Sequence, residues 1–197
     1  MLETEVKSLV DNLPRRRAAV EAAGAVLQFE GLLSDHRYDT PDLTLAARDH
    51  VLRVRVYGGA GEPRAELDWK GPTRREGGYK VREELDLPVG EPDVISTMLD
   101  RLGYLVTNVI DREIAQYDLD GAMIRFEQYP RMDVLVEVEG TPAQIERAIA
   151  ALGLPREGFT AERLAEFVAR FEERTGMAAA LRNDALFGGL GQAVENA

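Results

Sequence analysis

The chain reads Glu3-Thr4-Glu5-Val6-Lys7 near its start, with an ionic side chain at every second position. In an extended strand, successive side chains point to opposite faces. The two glutamates and the lysine therefore share one face, at steps of about 7 Å. This stretch predicts a β-strand with one fully ionic face and one face suited to packing.

The same alternation recurs in five further segments, at 52–56, 65–70, 80–87, 124–127 and 136–139. A period of two over short segments predicts strands. The ionic positions of these segments are Arg53 and Arg55, then Glu66, Asp68 and Lys70, then Lys80, Arg82, Glu84 and Asp86, then Arg125 and Glu127, and finally Glu137 and Glu139.

Two arrangements explain these ionic faces. In the first, they point to solvent while the apolar faces share one core, as in an ordinary antiparallel sheet, and the alternation alone favours this arrangement. In the second, the sheet closes with its ionic faces inward and helices cover the apolar outside. Buried charges are costly unless each is paired or satisfied by a ligand, metal or water, so the second arrangement implies a bound ligand.

Four helices are predicted between or after these strands, at 14–23, 92–102, 142–152 and 161–174. Gly24, Gly103 and Gly153 are suited to ending the first three. Thr141 is suited to capping the third, with Pro142 at its first position. Helices and antiparallel strands in one chain predict an α+β fold.

The composition excludes several classes of function. The chain has 197 residues with 45% hydrophobic side chains and no cysteine, which excludes disulfides, zinc–thiolate sites and thiol catalysis. The net charge of −11 leaves no basic face for nucleic acid. There is no apolar run long enough to cross a membrane and no hydrophobic signal region, so we expect a cytoplasmic protein.

Paired carboxylates stand near both ends of the chain, at Glu3 and Glu5 and at Glu137 and Glu139. Hard divalent cations such as Mg²⁺ or Mn²⁺ prefer oxygen ligands of this kind. Arginine side chains on separate strands can bind phosphate through two parallel hydrogen bonds, and lysine side chains can bind it through a single localised charge. These cations are Arg53, Arg55, Lys70, Arg82 and Arg125.

The order of these motifs resembles the CYTH superfamily, the triphosphate tunnel metalloenzymes, over about residues 1 to 175. The first stretch is similar to the family's N-terminal E-x-E-x-K signature. The full set of matching motifs is Glu3-Thr4-Glu5-Val6-Lys7, Tyr38-Asp39-Thr40-Pro41-Asp42, Val51-Leu52-Arg53-Val54-Arg55, Trp69-Lys70-Gly71-Pro72, Lys80-Val81-Arg82-Glu83-Glu84, Asp111-Arg112-Glu113 and Val136-Glu137-Val138-Glu139.

The resemblance implies a closed antiparallel β-barrel, or tunnel, of eight strands with a charged interior and helices packed outside. It implies that the metal ligands are Glu3, Glu5, Glu127, Glu137 and Glu139. It implies that the triphosphate contacts Lys7, Arg53, Arg55, Lys70, Arg82, Arg112 and Arg125, with Lys80 a weaker match. Among these residues, catalysis is expected from Glu5, Lys7, Glu137 and Glu139.

The implied function is hydrolysis of inorganic tripolyphosphate or an organic triphosphate with Mg²⁺ or Mn²⁺. A class IV adenylyl cyclase and a non-catalytic polyphosphate binder are the alternatives. Two stretches depart from the pattern of the cyclases, which carry a Gly-Leu-Gly-type turn and a His-Leu-Asp sequence. Here the stretches are Tyr129-Pro130-Arg131-Met132-Asp133 and Arg125-Phe126-Glu127.

We therefore expect a tunnel domain at residues 1–175, followed by a C-terminal helical extension and tail at 176–197. The expected partner is a small molecule that contains a triphosphate, with neither nucleic acid nor membrane involved. A homodimer is one alternative for the oligomeric state.

Overall fold

The computed structural model describes residues 1–59 and 64–186 and shows an α+β fold built on antiparallel strands, as predicted. The strands are β1 (Leu2–Leu9), β2 (Val26–Asp39), β3 (Val51–Gly58), β4 (Arg64–Lys70), β5 (Arg74–Glu76), β6 (Tyr79–Val89), β7 (Leu105–Leu119), β8 (Ala122–Gln128) and β9 (Leu135–Glu139). The helices are α1 (Leu13–Ala22), α2 (Pro92–Arg101), α3 (Pro142–Leu152) and α4 (Leu164–Thr175).

Eight of the strands form a ring. They pair in the order β1-β9-β8-β7-β2-β3-β4-β6, and β6 pairs back onto β1, with Glu3 opposite Arg82. The ninth strand, β5, pairs only with the start of β6. Ring closure gives each of the eight strands two neighbours, so the sheet has an inner and an outer face.

The pairing registers place the ionic positions on the inner face. Lys7 lies opposite Glu137, Glu137 opposite Arg125, and Arg53 opposite Asp68. On these five strands the ionic side chains therefore point inward, and the apolar residues between them face outward. This is the second of the two arrangements that the alternation allowed.

Helices cover the outer face. The largest apolar core lies where α1 and α3 pack on the outside of β1, β7, β8 and β9. It includes Val6, Val20, Tyr117, Phe126, Val138 and Leu152. Helix α2 packs on β3 through Leu99 against Val54. The apolar alternation thus supplies the outer core and, on the short strands, leaves the inner face to charged groups.

Three strands were not predicted from the sequence, namely β2, β5 and β7. Both long strands, β2 and β7, pair with each other along most of their length, with irregular register at two places. Their inner faces mix charged with apolar residues, such as Leu33 beside Asp35 and Ile110 beside Arg112, which hides the alternation. Helix α4 begins at Leu164 rather than at 161, because Thr160 pairs with Lys7 as a bridge.

In the described part of the predicted extension, Ala180 bridges to Arg131, and a short 3₁₀ turn spans Asp184–Leu186. Residues 187–197 of the predicted extension and tail lie outside the described residues. Across residues 1–59 and 64–186, no helix combines the length and apolarity needed to cross a membrane.

Candidate active site

The ring encloses a cavity of about 310 Å³ whose walls are strongly charged. Ten basic side chains line it: Lys7, Arg37, Arg53, Arg55, Lys70, Lys80, Arg82, Arg112, Arg125 and Arg163. Five acidic side chains line it: Glu5, Asp35, Asp49, Glu127 and Glu137. The cavity is therefore positive inside a chain whose net charge is −11.

Asp35 organises three of the arginines. Its carboxylate accepts hydrogen bonds from Arg55 Nε at 2.7 Å, Arg112 Nη2 at 3.0 Å and Arg53 Nη1 at 3.3 Å. Burial alone would raise the pKa of Asp35, but the three guanidinium groups hold it well below its usual range. One ionised carboxylate thus fixes three cations from β3 and β7 in one layer.

A second group surrounds Lys7. Its ammonium contacts Glu137 and lies 3.5 Å from Glu5 Oε1, which also accepts a hydrogen bond from Lys80 Nζ at 2.7 Å. Arg125 Nη1 lies 3.3 Å from Glu137 Oε1. Burial would raise the pKa of Glu5, yet the neighbouring lysines hold it well below the usual value. Burial also lowers the pKa of Lys7.

Glu127 and Tyr129 form part of the wall beside Arg112. Arg112 Nε donates to Glu127 Oε1 at 2.9 Å, and the Tyr129 hydroxyl donates to Glu127 Oε2 at 2.9 Å. Against the effect of burial, Arg112 and Lys7 lower the pKa of Glu127 to about 2. Glu127 is therefore an ionised partner for the arginine, with both oxygens occupied.

An acidic cluster, defined by Glu3, Glu84 and Glu139, lies next to the cavity. One carboxylate oxygen from each comes within 4.8 Å of the others. Lys70 lines the cavity and contacts the cluster, with its Nζ 2.6 Å from Glu3 and 3.0 Å from Glu84. Glu3 Oε2 is buried and has no hydrogen-bond partner in the part of the chain that the structure describes. Three close carboxylates with an unsatisfied oxygen fit a hard divalent cation, so the cluster suits Mg²⁺ or Mn²⁺.

The acidic cluster predicts proton release on metal binding. Burial raises the pKa of Glu84 to about 8, with the charge of Glu3 adding to it and Lys70 opposing it. Burial also raises the pKa of Glu139. Metal ligation requires the carboxylates ionised, so binding at pH 7 displaces protons.

We expect Mg²⁺ affinity to increase as the pH rises from 6 to 8.5, and proton release to fade above the pKa of Glu84. Calorimetric titration in two buffers of different ionisation enthalpy measures the protons released per metal ion. Equal heats in both buffers at pH 7 would contradict the expectation.

Some buried donors of the cavity arginines remain without acceptors. Within the described residues, Arg37 Nε, Arg53 Nε and Arg112 Nη1 are buried and make no hydrogen bond. An unsatisfied buried donor costs about 1–3 kcal/mol. Phosphate oxygens are acceptors that would satisfy such donors, which makes the cavity suited to a polyanion.

Ten of the twelve site residues named from the sequence line the cavity: Glu5, Lys7, Arg53, Arg55, Lys70, Arg82, Arg112, Arg125, Glu127 and Glu137. The other two, Glu3 and Glu139, lie in the acidic cluster instead. Of the five carboxylates assigned to metal, only these two come together there. Glu5, Glu127 and Glu137 are paired with lysine or arginine.

Arg82 differs from the other cavity arginines in its contacts. Its Nε donates to the Gly71 carbonyl at 2.8 Å, and its Nη2 donates to the carbonyls of Lys70, Gly71 and Asp49. This guanidinium therefore fixes the loop after β4 to the segment before β3. Its predicted contact with substrate stays a prediction.

Six charged residues of the site were missed as functional residues, namely Asp35, Arg37, Asp49, Asp68, Glu84 and Arg163. Asp68 accepts a hydrogen bond from Arg53 at 2.7 Å. Asp68 and Glu84 lie on ionic faces that the sequence alternation identifies, so their place at every second residue could have marked them as site residues. Asp35, Arg37 and Asp39 also occupy every second position. Because β2 itself was not predicted as a strand, this alternation was not used to identify them as site residues.

Comparisons with known proteins agree with this geometry. A family model described as the CYTH domain matches residues 1–148. No curated protein matches the chain at a significant level.

Among solved structures, one named as a candidate adenylate cyclase of Vibrio parahaemolyticus has a TM-score of 0.73 and 21% identity, covering 86% of this chain and 98% of its own. A Pyrococcus horikoshii protein has a TM-score of 0.69 and 20% identity, covering 85% and 98%. A Hippeastrum protein named as a candidate adenylyl cyclase with a dominant triphosphatase activity has a TM-score of 0.62 and 17% identity, covering 91% and 99%. At these identities the likeness shows the fold.

The resemblance inferred from the sequence motifs is therefore confirmed. Because the family model spans well over half of the 197 residues, this chain belongs to the CYTH domain family.

Proposed function

We propose that this protein is a metal-dependent phosphohydrolase that cleaves a triphosphate inside the ring. The observation that carries the proposal is the positive cavity, with ten bases against five acids and buried arginine donors that lack acceptors. A triphosphate supplies several negative charges and many acceptor oxygens in a narrow chain. The proposal treats the ring as a closed barrel, or tunnel, around that chain.

The chemistry of phosphoryl transfer is mainly positioning and charge stabilisation. Arg53, Arg55 and Arg112, fixed by Asp35, would hold the phosphates and neutralise charge as the terminal phosphoryl group departs. Because Asp35 already holds these guanidinium groups in place, they need little rearrangement during the reaction. Lys80 and Arg125 add further positive charge to the cavity lining.

The metal would be held by Glu3, Glu84 and Glu139, with Glu5 and Glu137 nearby on the same strands. A bound Mg²⁺ or Mn²⁺ ion supplies further charge neutralisation on phosphate oxygens and lowers the pKa of water. Glu5 and Glu137 both lie against Lys7. The charge of Lys7 favours the ionised form of Glu5, so this carboxylate would orient the attacking water by accepting a hydrogen bond from it rather than by keeping its proton.

The fold similarity to candidate adenylate cyclases favours a second function, cyclisation of ATP. The same phosphate contacts would then serve attack by the ribose 3′-hydroxyl in place of water. A non-catalytic polyphosphate binder is the third possibility, and it would use the positive cavity without turnover.

Turnover assays separate these functions. The protein is incubated with tripolyphosphate, thiamine triphosphate or ATP, with and without Mg²⁺ or Mn²⁺. We expect metal-dependent release of phosphate from at least one of them, without cyclic AMP. Formation of cyclic AMP and pyrophosphate would establish the cyclase instead, and binding of tripolyphosphate without any product would establish the binder.

A further inference from the structure

Arg37 is exceptional among the arginines that line the cavity. Each of the others pairs with a carboxylate or donates to backbone carbonyls, as described above for Arg53, Arg55, Arg82, Arg112 and Arg125, while Arg163 pairs with Asp49 at 2.8 Å. Within the described residues, the guanidinium of Arg37 has neither an ion pair nor a hydrogen bond, and its Nε is buried. The carboxylate two residues earlier, Asp35, is already shared by three other arginines.

The pairing register places Arg37 next in line after the layer around Asp35. Asp35 lies opposite Arg55, and Arg37 lies opposite Arg53, one step nearer to where β3 begins. Asp49 stands just before that point and pairs with Arg163 of the segment leading into α4. Arg37 therefore extends the row of phosphate-binding cations toward this end of the cavity.

The electrostatic environment of Arg37 favours a bound anion. Burial and the neighbouring charge of Arg53 lower the pKa of Arg37 to about 10, so it remains charged at neutral pH. A negatively charged group between Arg37 and Arg53 would relieve their repulsion and satisfy the buried Nε. A neutral or cationic organic group at the same place would leave the repulsion intact.

The cavity offers little to an organic group. Tyr129 is the one aromatic residue among those lining it in the described part of the chain. Its hydroxyl donates to Glu127, and the guanidinium of Arg112 lies 6.0 Å from its ring centre. Nucleobases bind by stacking on free aromatic faces. A volume of about 310 Å³ is also at the low end for ligand cavities, about 300–1,000 Å³.

We propose that Arg37 binds the phosphate at the end of the substrate where an organic triphosphate would carry its ester. The cavity thereby selects inorganic tripolyphosphate over nucleotides and other organic triphosphates. Inorganic tripolyphosphate has an ionised terminal phosphate at both ends, whereas an organic triphosphate carries an ester at one end. This selection rests on the proposed triphosphatase function. Arg37 acts as a substrate-binding residue that determines specificity.

The test compares Arg37→Gln and Arg37→Lys with the parent chain, using tripolyphosphate and ATP as substrates at saturating Mg²⁺. The parent is expected to have a kcat/KM at least about tenfold higher for tripolyphosphate than for ATP. Arg37→Gln is expected to raise the KM for tripolyphosphate about tenfold or more, and the KM for ATP at most about twofold, because a charged hydrogen bond is lost with only one of them. Arg37→Lys should have an intermediate KM for tripolyphosphate, because lysine keeps the positive charge but cannot form the paired hydrogen bonds of a guanidinium group.

Arg174→Gln is the control, because Arg174 pairs with Asp133 on the surface. Arg174→Gln should leave the KM for both substrates unchanged. Equal effects of Arg37→Gln on the two substrates, or a parent that prefers ATP, would overturn the selection. Calorimetry of metal-free binding to tripolyphosphate and ATP tests it without turnover. A chain that binds tripolyphosphate through Arg37 but releases no phosphate would therefore refute the hydrolase and retain the selection.

Discussion

Replacing Asp35 with asparagine is expected to lower the free energy of unfolding by about 3–5 kcal/mol, as when one partner of a buried ion pair is removed. Asp35 is 1% exposed and holds Arg53, Arg55 and Arg112. Asparagine keeps the shape but leaves three buried cations without their shared counter-charge. Urea unfolding of the parent and the variant, without ligand, measures the difference.

Tripolyphosphate should offset part of this loss, because an anion that binds only the folded state stabilises it by mass action. Its stabilising effect should be larger in Asp35→Asn than in the parent. Asp133→Asn is the matched control, since it removes a surface partner of Arg174 and should cost at most about 1 kcal/mol. Equal unfolding midpoints for the parent and Asp35→Asn would show that the arginines do not depend on this carboxylate.

The second large effect is expected from Glu84→Gln. Glu84 and Glu83 are neighbours on β6 with opposite parity, so only Glu84 points toward the acidic cluster. A neutral amide is a poorer ligand for Mg²⁺ than a carboxylate. Glu84→Gln should therefore lower turnover at low Mg²⁺ by about 10–100-fold, the loss typical of disturbed metal sites, with recovery at higher metal concentration.

Glu83→Gln makes the same substitution at the neighbouring position of the same strand and should leave the metal dependence unchanged. The measurement is turnover of tripolyphosphate against Mg²⁺ concentration for the parent and both variants. Metal-free binding of tripolyphosphate should be retained in Glu84→Gln, because Arg53, whose Nη2 lies 3.7 Å from Glu84, keeps its hydrogen bonds to Asp35 and Asp68. Identical metal dependence for Glu83→Gln and Glu84→Gln would refute the assignment of the acidic cluster.

Much of the candidate site could be predicted from local sequence. Residues such as Glu3, Arg53 and Glu137 stand on short strands with strict ionic alternation, so their shared face is visible in the sequence. The motif order added Arg112, which has no such alternation around it. Prediction was weakest on β2, where Gly31 and Leu33 precede Asp35 and Arg37 on the same face and interrupt the ionic pattern.

The partners of each charge could not be read from the sequence. Glu137 was expected to hold metal, yet it contacts Lys7 and Arg125, while Glu84 joins Glu3 and Glu139. Carboxylates on a strand have the same residue type and spacing whether they meet a lysine or another carboxylate across the ring. The register between strands that are distant in sequence decides which of these meet.

The sequence by itself determined the family, the antiparallel strands and the identity of most charged residues, because strand parity and motif order are local properties. Only the tertiary structure decided that the ionic faces point inward, that Asp35 holds three arginines and that Arg37 has no ion pair among residues 1–59 and 64–186. Those outcomes depend on ring closure between β1 and β6 and on the pairing of β2 with β3 and β7. Such pairings join residues far apart in the chain, and the energy of a buried charge is set by the neighbours that those pairings bring to it.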